Sequence, residues 1–152
     1  GSLRSRILSL AQAEVGTMER TGNNDGEVLK YPEFFGRGSE PYCADFVSWV
    51  NTQAGNPLDF AYVPYLREHL EANGKWKGRS DPQPGDIVIF DFERGGEGDH
   101  VGIVKAVNAD GTIETIEGNT SPDDRLSDSA TLESGVWNRV RSLDDILGFG
   151  NP

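Results

Sequence analysis

Pro82-Gln83-Pro84-Gly85, followed by Asp86-Ile87-Val88-Ile89-Phe90, is where this chain changes its periodicity. Two prolines and a glycine break any helix and favour a turn. The apolar run from Asp86 to Phe92 then reads as a short buried strand. Downstream, Val101 to Val107 and Thr112 to Glu117 alternate apolar and polar residues, and Val136 to Val140 is a further candidate strand. Upstream the spacing is helical. Leu3, Ile7, Leu10, Ala11 and Val15 predict an opening helix capped by Gly16. A second helix is predicted over Pro41 to Ala54, because proline suits a first turn and Gly55-Asn56-Pro57 is a strong stop. A third runs from Val63 to Ala72 and ends at Asn73-Gly74. Thr21 to Gly26 reads as a turn-rich loop, and Ser121 to Ser134, polar and acidic, as an exposed one. Helices first and strands afterwards predict an α+β domain whose N-terminal helices pack on a C-terminal antiparallel sheet.

The chain has 152 residues, enough for one domain with a core and too few for two. Residues 3–152 are expected to form that domain, and Gly1-Ser2 to be an expression scar. Leu3 to Val15 lacks the unbroken apolar stretch of a signal peptide, and no apolar run approaches the length of a bilayer span. Acidic residues exceed basic ones by 25 − 14 = 11. A field of that sign repels polyanions, so nucleic acid is not an expected partner.

The chain holds one cysteine, Cys43, so it cannot form an internal disulfide. On a helix starting near Pro41, Cys43 shares an apolar stripe with Phe46, Val47, Val50 and Ala54. A lone cysteine on such a stripe is most often a small core residue. This one, however, lies in the first turn, where unpaired N–H groups and the helix dipole favour a thiolate and can stabilise an oxyanion. Asp45 in the same turn reads as a structural complement to the dipole.

If Asn108-Ala109-Asp110-Gly111 is a four-residue hairpin loop, Val107 pairs with Thr112 and His100 lies opposite Asn119. Glu117 then lies opposite Gly102 on the same face as His100, and the missing side chain of Gly102 leaves it room. Taken singly, His100 could cap a strand and Glu117-Gly118-Asn119 could be an ordinary turn. Taken together with Cys43, they supply the parts of a cysteine nucleophile site: a thiol, a base and groups that orient the base. His69 sits on a helix flank without such surroundings. Trp49 reads as structure and Trp76 as packing or groove lining, whereas Tyr42 and Trp137 are candidates for substrate contact.

Four blocks, Pro41-Tyr42-Cys43-Ala44-Asp45-Phe46-Val47-Ser48-Trp49, Pro84-Gly85-Asp86-Ile87-Val88-Ile89-Phe90, Gly98-Asp99-His100-Val101-Gly102-Ile103-Val104 and Glu117-Gly118-Asn119, resemble the CHAP domain family. These are cysteine, histidine-dependent amidohydrolases and peptidases with a papain-like fold. The resemblance implies hydrolysis of a peptidoglycan amide, either the N-acetylmuramoyl-L-alanine bond or a bond within the stem or cross-bridge peptide. It implies Cys43 as nucleophile, His100 as base, and Glu117 and Asn119 as groups orienting the imidazole. It further implies action at the bacterial cell wall as a phage lysin, autolysin or toxin, acting as a monomer brought there by a separate targeting module or carrier. Many members carry glutamine before the cysteine as an oxyanion donor, and Tyr42 stands there in this chain.

No metal or cofactor is required by this chemistry. Asn23-Asn24-Asp25-Gly26-Glu27 superficially suggests a calcium loop, but aligned on Gly26 the first ligand position would be Thr21 and the last Pro32, so a plain turn is the reading. Two alternatives keep parts of this picture: a deamidase or amidase toxin acting on another amide, and an inactive module that only binds peptidoglycan.

Overall fold

A computed structural model of the chain describes residues 1–123 and 133–152. Four helices, α1 (Leu3–Glu14), α2 (Lys30–Phe34), α3 (Cys43–Gln53) and α4 (Val63–Ala72), precede six strands. The strands are β1 (Trp76–Gly78), β2 (Ile87–Phe90), β3 (His100–Val107), β4 (Ile113–Thr120), β5 (Gly135–Arg141) and β6 (Ile146–Gly150). They form one antiparallel sheet in the order β1-β6-β2-β3-β4-β5. The fold is therefore the α+β arrangement that the change of period at Pro82 to Gly85 predicts. The middle of the Ser121 to Ser134 loop, residues 124–132, lies outside the described residues.

Strand alternation divides the core in two. On one face Ile87, Ile89, Val101, Ile103 and Ile116 pack beneath the helices, against Phe46, Val47 and Leu66 among others. The other face buries Val88, Phe90, Val104, Ile113, Ile146 and Phe149. The predicted stripe of α3 is buried throughout, from Cys43 to Ala54. α3 meets β4 closely at Gly118, where a Cβ would lie 2.8 Å from Phe46 Cβ. Any side chain at that point would push the helix off the sheet.

The hairpin tip departs from the expected register. Val107 pairs with Ile113 rather than Thr112, which makes the loop one residue longer. A bulge between Val104 and Ala106 absorbs the extra residue, and Ile103 pairs with Ile116, the register expected from a four-residue loop. The two irregularities cancel before the strand reaches His100.

The sheet is also curled. β5 and β6 are separated by three other strands, roughly 19 Å in a flat sheet at about 4.8 Å per strand. The connection between Arg141 and Ile146 contains a 3₁₀ turn, Leu143–Asp145, and cannot span that distance. Only curling brings the two ends together, and it carries Arg141 back over β2. The Arg141 guanidinium lies 5.3 Å from the Phe90 ring centroid and 4.9 Å from that of Phe92.

Candidate active site

Cys43 is the first residue of α3, behind Tyr42, whose backbone (φ −113°, ψ 17°) provides no side-chain cap. The N–H groups of that turn are left for another acceptor. Cys43 is 7% exposed. Its sulfur interacts electrostatically with His100, the residue that opens β3.

His100 Nε2 lies 2.7 Å from Glu117 Oε1 on the neighbouring strand. The gap that Gly102 was expected to provide is present: a Cβ there would sit 2.7 Å from Glu117 Cγ. Glu117 is fully buried and its carboxylate is saturated with donors. Arg141 donates through Nε to Oε2 at 2.9 Å and through Nη2 to Oε1 at 2.5 Å, and Thr115 Oγ1 donates to Oε2 at 2.5 Å. The Phe90 and Phe92 rings flank the imidazole at 5.5 and 5.7 Å, so the charged groups are shielded from water on that side.

These surroundings set the protonation states. Burial alone lowers the basicity of His100, but its hydrogen bonds with Cys43 and Glu117 and the charges of both outweigh burial and push it up to about 10. Burial alone would raise Glu117, yet Arg141 and His100 hold it down at about 2. Across the neutral range the arrangement is an imidazolium fixed between a carboxylate and a sulfur atom. The thiolate, not the thiol, is the form of cysteine that attacks a carbonyl.

Asn119 shares a cleft of about 280 Å³ with His100, Thr120 and Arg141. Its backbone is left-handed (φ 57°), a conformation asparagine tolerates better than most residues, and it bends the chain away at the end of β4. Cys43 lines a second groove of about 480 Å³ with Glu40, Tyr62 and Glu97. Glu93 and Asp99 line both cavities, so Cys43 and His100 open onto two sides of one rim.

The two residues expected to contact substrate are turned inward. Tyr42 is fully buried and stacks on Tyr31, and its hydroxyl donates to Glu19 Oε2 at 2.9 Å. Trp137 is 7% exposed, and its Nε1 donates to the Glu133 carbonyl at 3.1 Å. The aromatic that does reach the Cys43 groove is Tyr62, 53% exposed and in edge contact with Tyr65 at 4.8 Å. Arg141 is a further functional neighbour that the sequence reading missed. His69 is remote from the site, its ring 5.0 Å from Phe60 and beside Asn73.

In the Asn23 to Glu27 turn, the Asp25 carboxylate accepts from Arg20 N, Thr21 N and Thr21 Oγ1, which closes the turn on itself. Among the described residues, no three His, Cys, Asp or Glu side chains cluster so as to hold a metal ion.

Among solved structures, Ly7917 matches with a TM-score of 0.57 and 19% identity over 100% of this chain and 63% of that one. The wild-type endolysin LysIME-EF1 matches with a TM-score of 0.57 and 17% identity over 98% of this chain and 63% of that one. Ly7917 with the hydrolyzing product of MDP matches at 0.54 and 17%, over 98% and 62%. At these identities the likeness is one of fold, and this chain spans less than two thirds of each. No curated protein sequence matches it. The CHAP domain model matches residues 35–119, more than half of the chain, in a segment that runs from the approach to Cys43 through His100 and Glu117 to Asn119. The chain belongs to the CHAP domain family, and with it to the hydrolases acting on amide bonds.

Proposed function

We propose that this chain hydrolyses an amide bond of peptidoglycan, with Cys43 as nucleophile, His100 as proton carrier, and Glu117 and Asn119 orienting the imidazole. The observation that carries the reading is the sulfur at the uncapped start of α3, interacting with an imidazole that Glu117 holds at 2.7 Å. Family membership supports it, as do the fold matches to an endolysin and to Ly7917 holding a hydrolysis product.

The chemistry follows from the geometry. In the resting pair the proton of Cys43 already sits on His100, and the thiolate attacks the amide carbonyl. The oxygen that becomes negative is stabilised by N–H groups of the first turn of α3. Collapse of this intermediate breaks the C–N bond, and His100 returns its proton to the departing amine. Water, deprotonated by His100, then attacks the thioester, which releases the acid and restores the thiol. Glu117, held ionised by Arg141, steadies the imidazolium in each half-reaction.

Clearing of purified sacculi tests the reading. Cys43→Ala is expected to abolish it, while cosedimentation with sacculi persists. A cleared suspension with the alanine variant would overturn the proposal. Mass spectrometry of the released fragments separates the muramoyl–alanine amide from bonds within the peptide, and new sugar reducing ends would contradict both. A separate wall-targeting module and delivery to the cell wall are part of the same proposal.

A further inference from the structure

The first turn of α3 holds a second buried charge that the reaction does not use. Asp45, two residues after the nucleophile, is fully buried, and a carboxylate there opposes a thiolate. Its Oδ1 accepts from Arg37 Nε at 3.0 Å and from Arg37 Nη2 at 2.6 Å. Its Oδ2 is equally buried and receives no N–H or O–H from a neighbouring donor. A carboxylate oxygen stranded in that way is strongly disfavoured. A second carboxyl lies on the same guanidinium: Glu40 Oε2 is 3.6 Å from the Arg37 Nε that donates to Asp45, and the Glu40 side chain pairs with Asp45. Two carboxyls in such contact share one proton.

We propose that Glu40 is a positioning residue of the Cys43 site: as the neutral acid it donates its proton to Asp45 Oδ2, which leaves the carboxyl pair one negative charge for Arg37 to balance. Loss of that proton to solvent adds a negative charge at the mouth of the nucleophile's groove, which Glu40 lines together with Cys43. The inference rests on Cys43 being the nucleophile.

Burial and the hydrogen bond with Asp45 push Glu40 up to about 7, against the pull of Arg37, whose Nε lies 3.6 Å away. The Glu40 side chain is 27% exposed, so its proton exchanges freely with water. The other charged groups around it are Asp59, which takes the Arg37 Nη1 at 2.7 Å, the groove residues Glu93, Glu97 and Asp99, and the Cys43–His100 pair. Carboxyls dominate that set, and the cation nearest the added charge, Arg37, is already shared with Asp45 and Asp59. Neutralisation by Arg37 and by a shared proton is what makes Asp45 compatible with a nucleophile on the same turn.

Because Cys43 is the only cysteine in the chain, alkylation reads the charge at one sulfur without any wall substrate. The experiment compares rates of reaction with neutral iodoacetamide and anionic iodoacetate from pH 5.5 to 8.5, a window in which neither His100 nor Glu117 titrates. In the native protein the iodoacetate-to-iodoacetamide ratio is expected to fall by about three-fold as pH rises through the titration of Glu40, the size of effect one partly screened charge produces. In Glu40→Gln, whose amide still donates to Asp45, the ratio is expected to stay level. A level ratio in the native protein, or an equal fall in the glutamine variant, overturns the inference. If the ratio behaves as expected while sacculi are not hydrolysed, the substrate reading fails and this inference stands.

Discussion

Glu117 and Glu40 are the same residue type in the surroundings of Cys43 and His100, and their environments drive them in opposite directions. Both lose solvation, which by itself raises a carboxyl. Glu117 is surrounded by cations, Arg141 at 2.5 and 2.9 Å and His100 at 2.7 Å, and titrates at about 2. Glu40 faces the anion Asp45 and titrates at about 7. Burial raises both carboxyls, and the sign of the partners decides whether that rise is overturned, as at Glu117, or reinforced, as at Glu40. Stability follows the same logic. The pairing of Glu117 is fully present above the ordinary glutamate value near 4.5 and is lost as pH falls through about 2. The contact of Glu40 with Asp45 is present below that ordinary value and is lost as pH rises through about 7. The raised His100 contributes fully below about 6.5 and loses that contribution as pH rises through about 10.

The comparison breaks most severely at Glu117→Gln. With the neutral amide, His100 loses the charge that raises it, and hydrolysis is expected to fall by about 10²- to 10⁴-fold, the range for losing the group that orients a catalytic histidine. The alkaline limb of the pH–rate profile is expected to move from about 10 toward 6.5. A limb that stays in place would show that Glu117 does not set the imidazole.

Arg141→Leu attacks the same carboxylate from its other side. It leaves a fully buried charge short of its main partner and is expected to cost about 3–5 kcal/mol in urea unfolding. The double variant with Glu117→Gln is expected to recover part of that loss, because the stranded charge is gone. Additive losses would contradict the pairing.

Gly102→Ala keeps every charge and moves Glu117 by sterics alone. A Cβ at 2.7 Å from Glu117 Cγ is expected to cost about 1–3 kcal/mol and to weaken hydrolysis along with it. The mildest change is Asp45→Asn, which removes the anion from beside Glu40. Carbon-detected NMR should then find Glu40 titrating below about 7, with the part of the rise due to burial retained, and an unmoved titration would sever the two residues.

Much of this was legible in the sequence where local chemistry specifies structure. The prolines and glycine at residues 82–85 separate helices from strands, and the ends of α3 and α4 follow from Gly55-Asn56-Pro57 and Asn73-Gly74. The stripe through Cys43 and the pairing of Gly102 with Glu117 needed only helical and strand periods. What was not legible depends on distant partners. β1 has three residues, and β6, Ile146-Leu147-Gly148-Phe149-Gly150, has too many glycines to read as a strand until its neighbours hold it. Arg141 reaches Glu117 only because the sheet curls. Tyr42 and Trp137 look like surface aromatics with a polar handle, but both rings are buried, with the Tyr42 hydroxyl on buried Glu19 and Trp137 Nε1 on the carbonyl of exposed Glu133.

The bulge at Lys105 has a practical corollary. Because it soaks up one surplus residue between the hairpin tip and the catalytic end of β3, events at residues 108–112 need not propagate to His100. Lengthening a flexible loop is entropically mild, about 0.6 kcal/mol per doubling. The tip is therefore a natural port for splicing in a reporter tag or a foreign wall-binding peptide, at the end of the ribbon farthest from the chemistry.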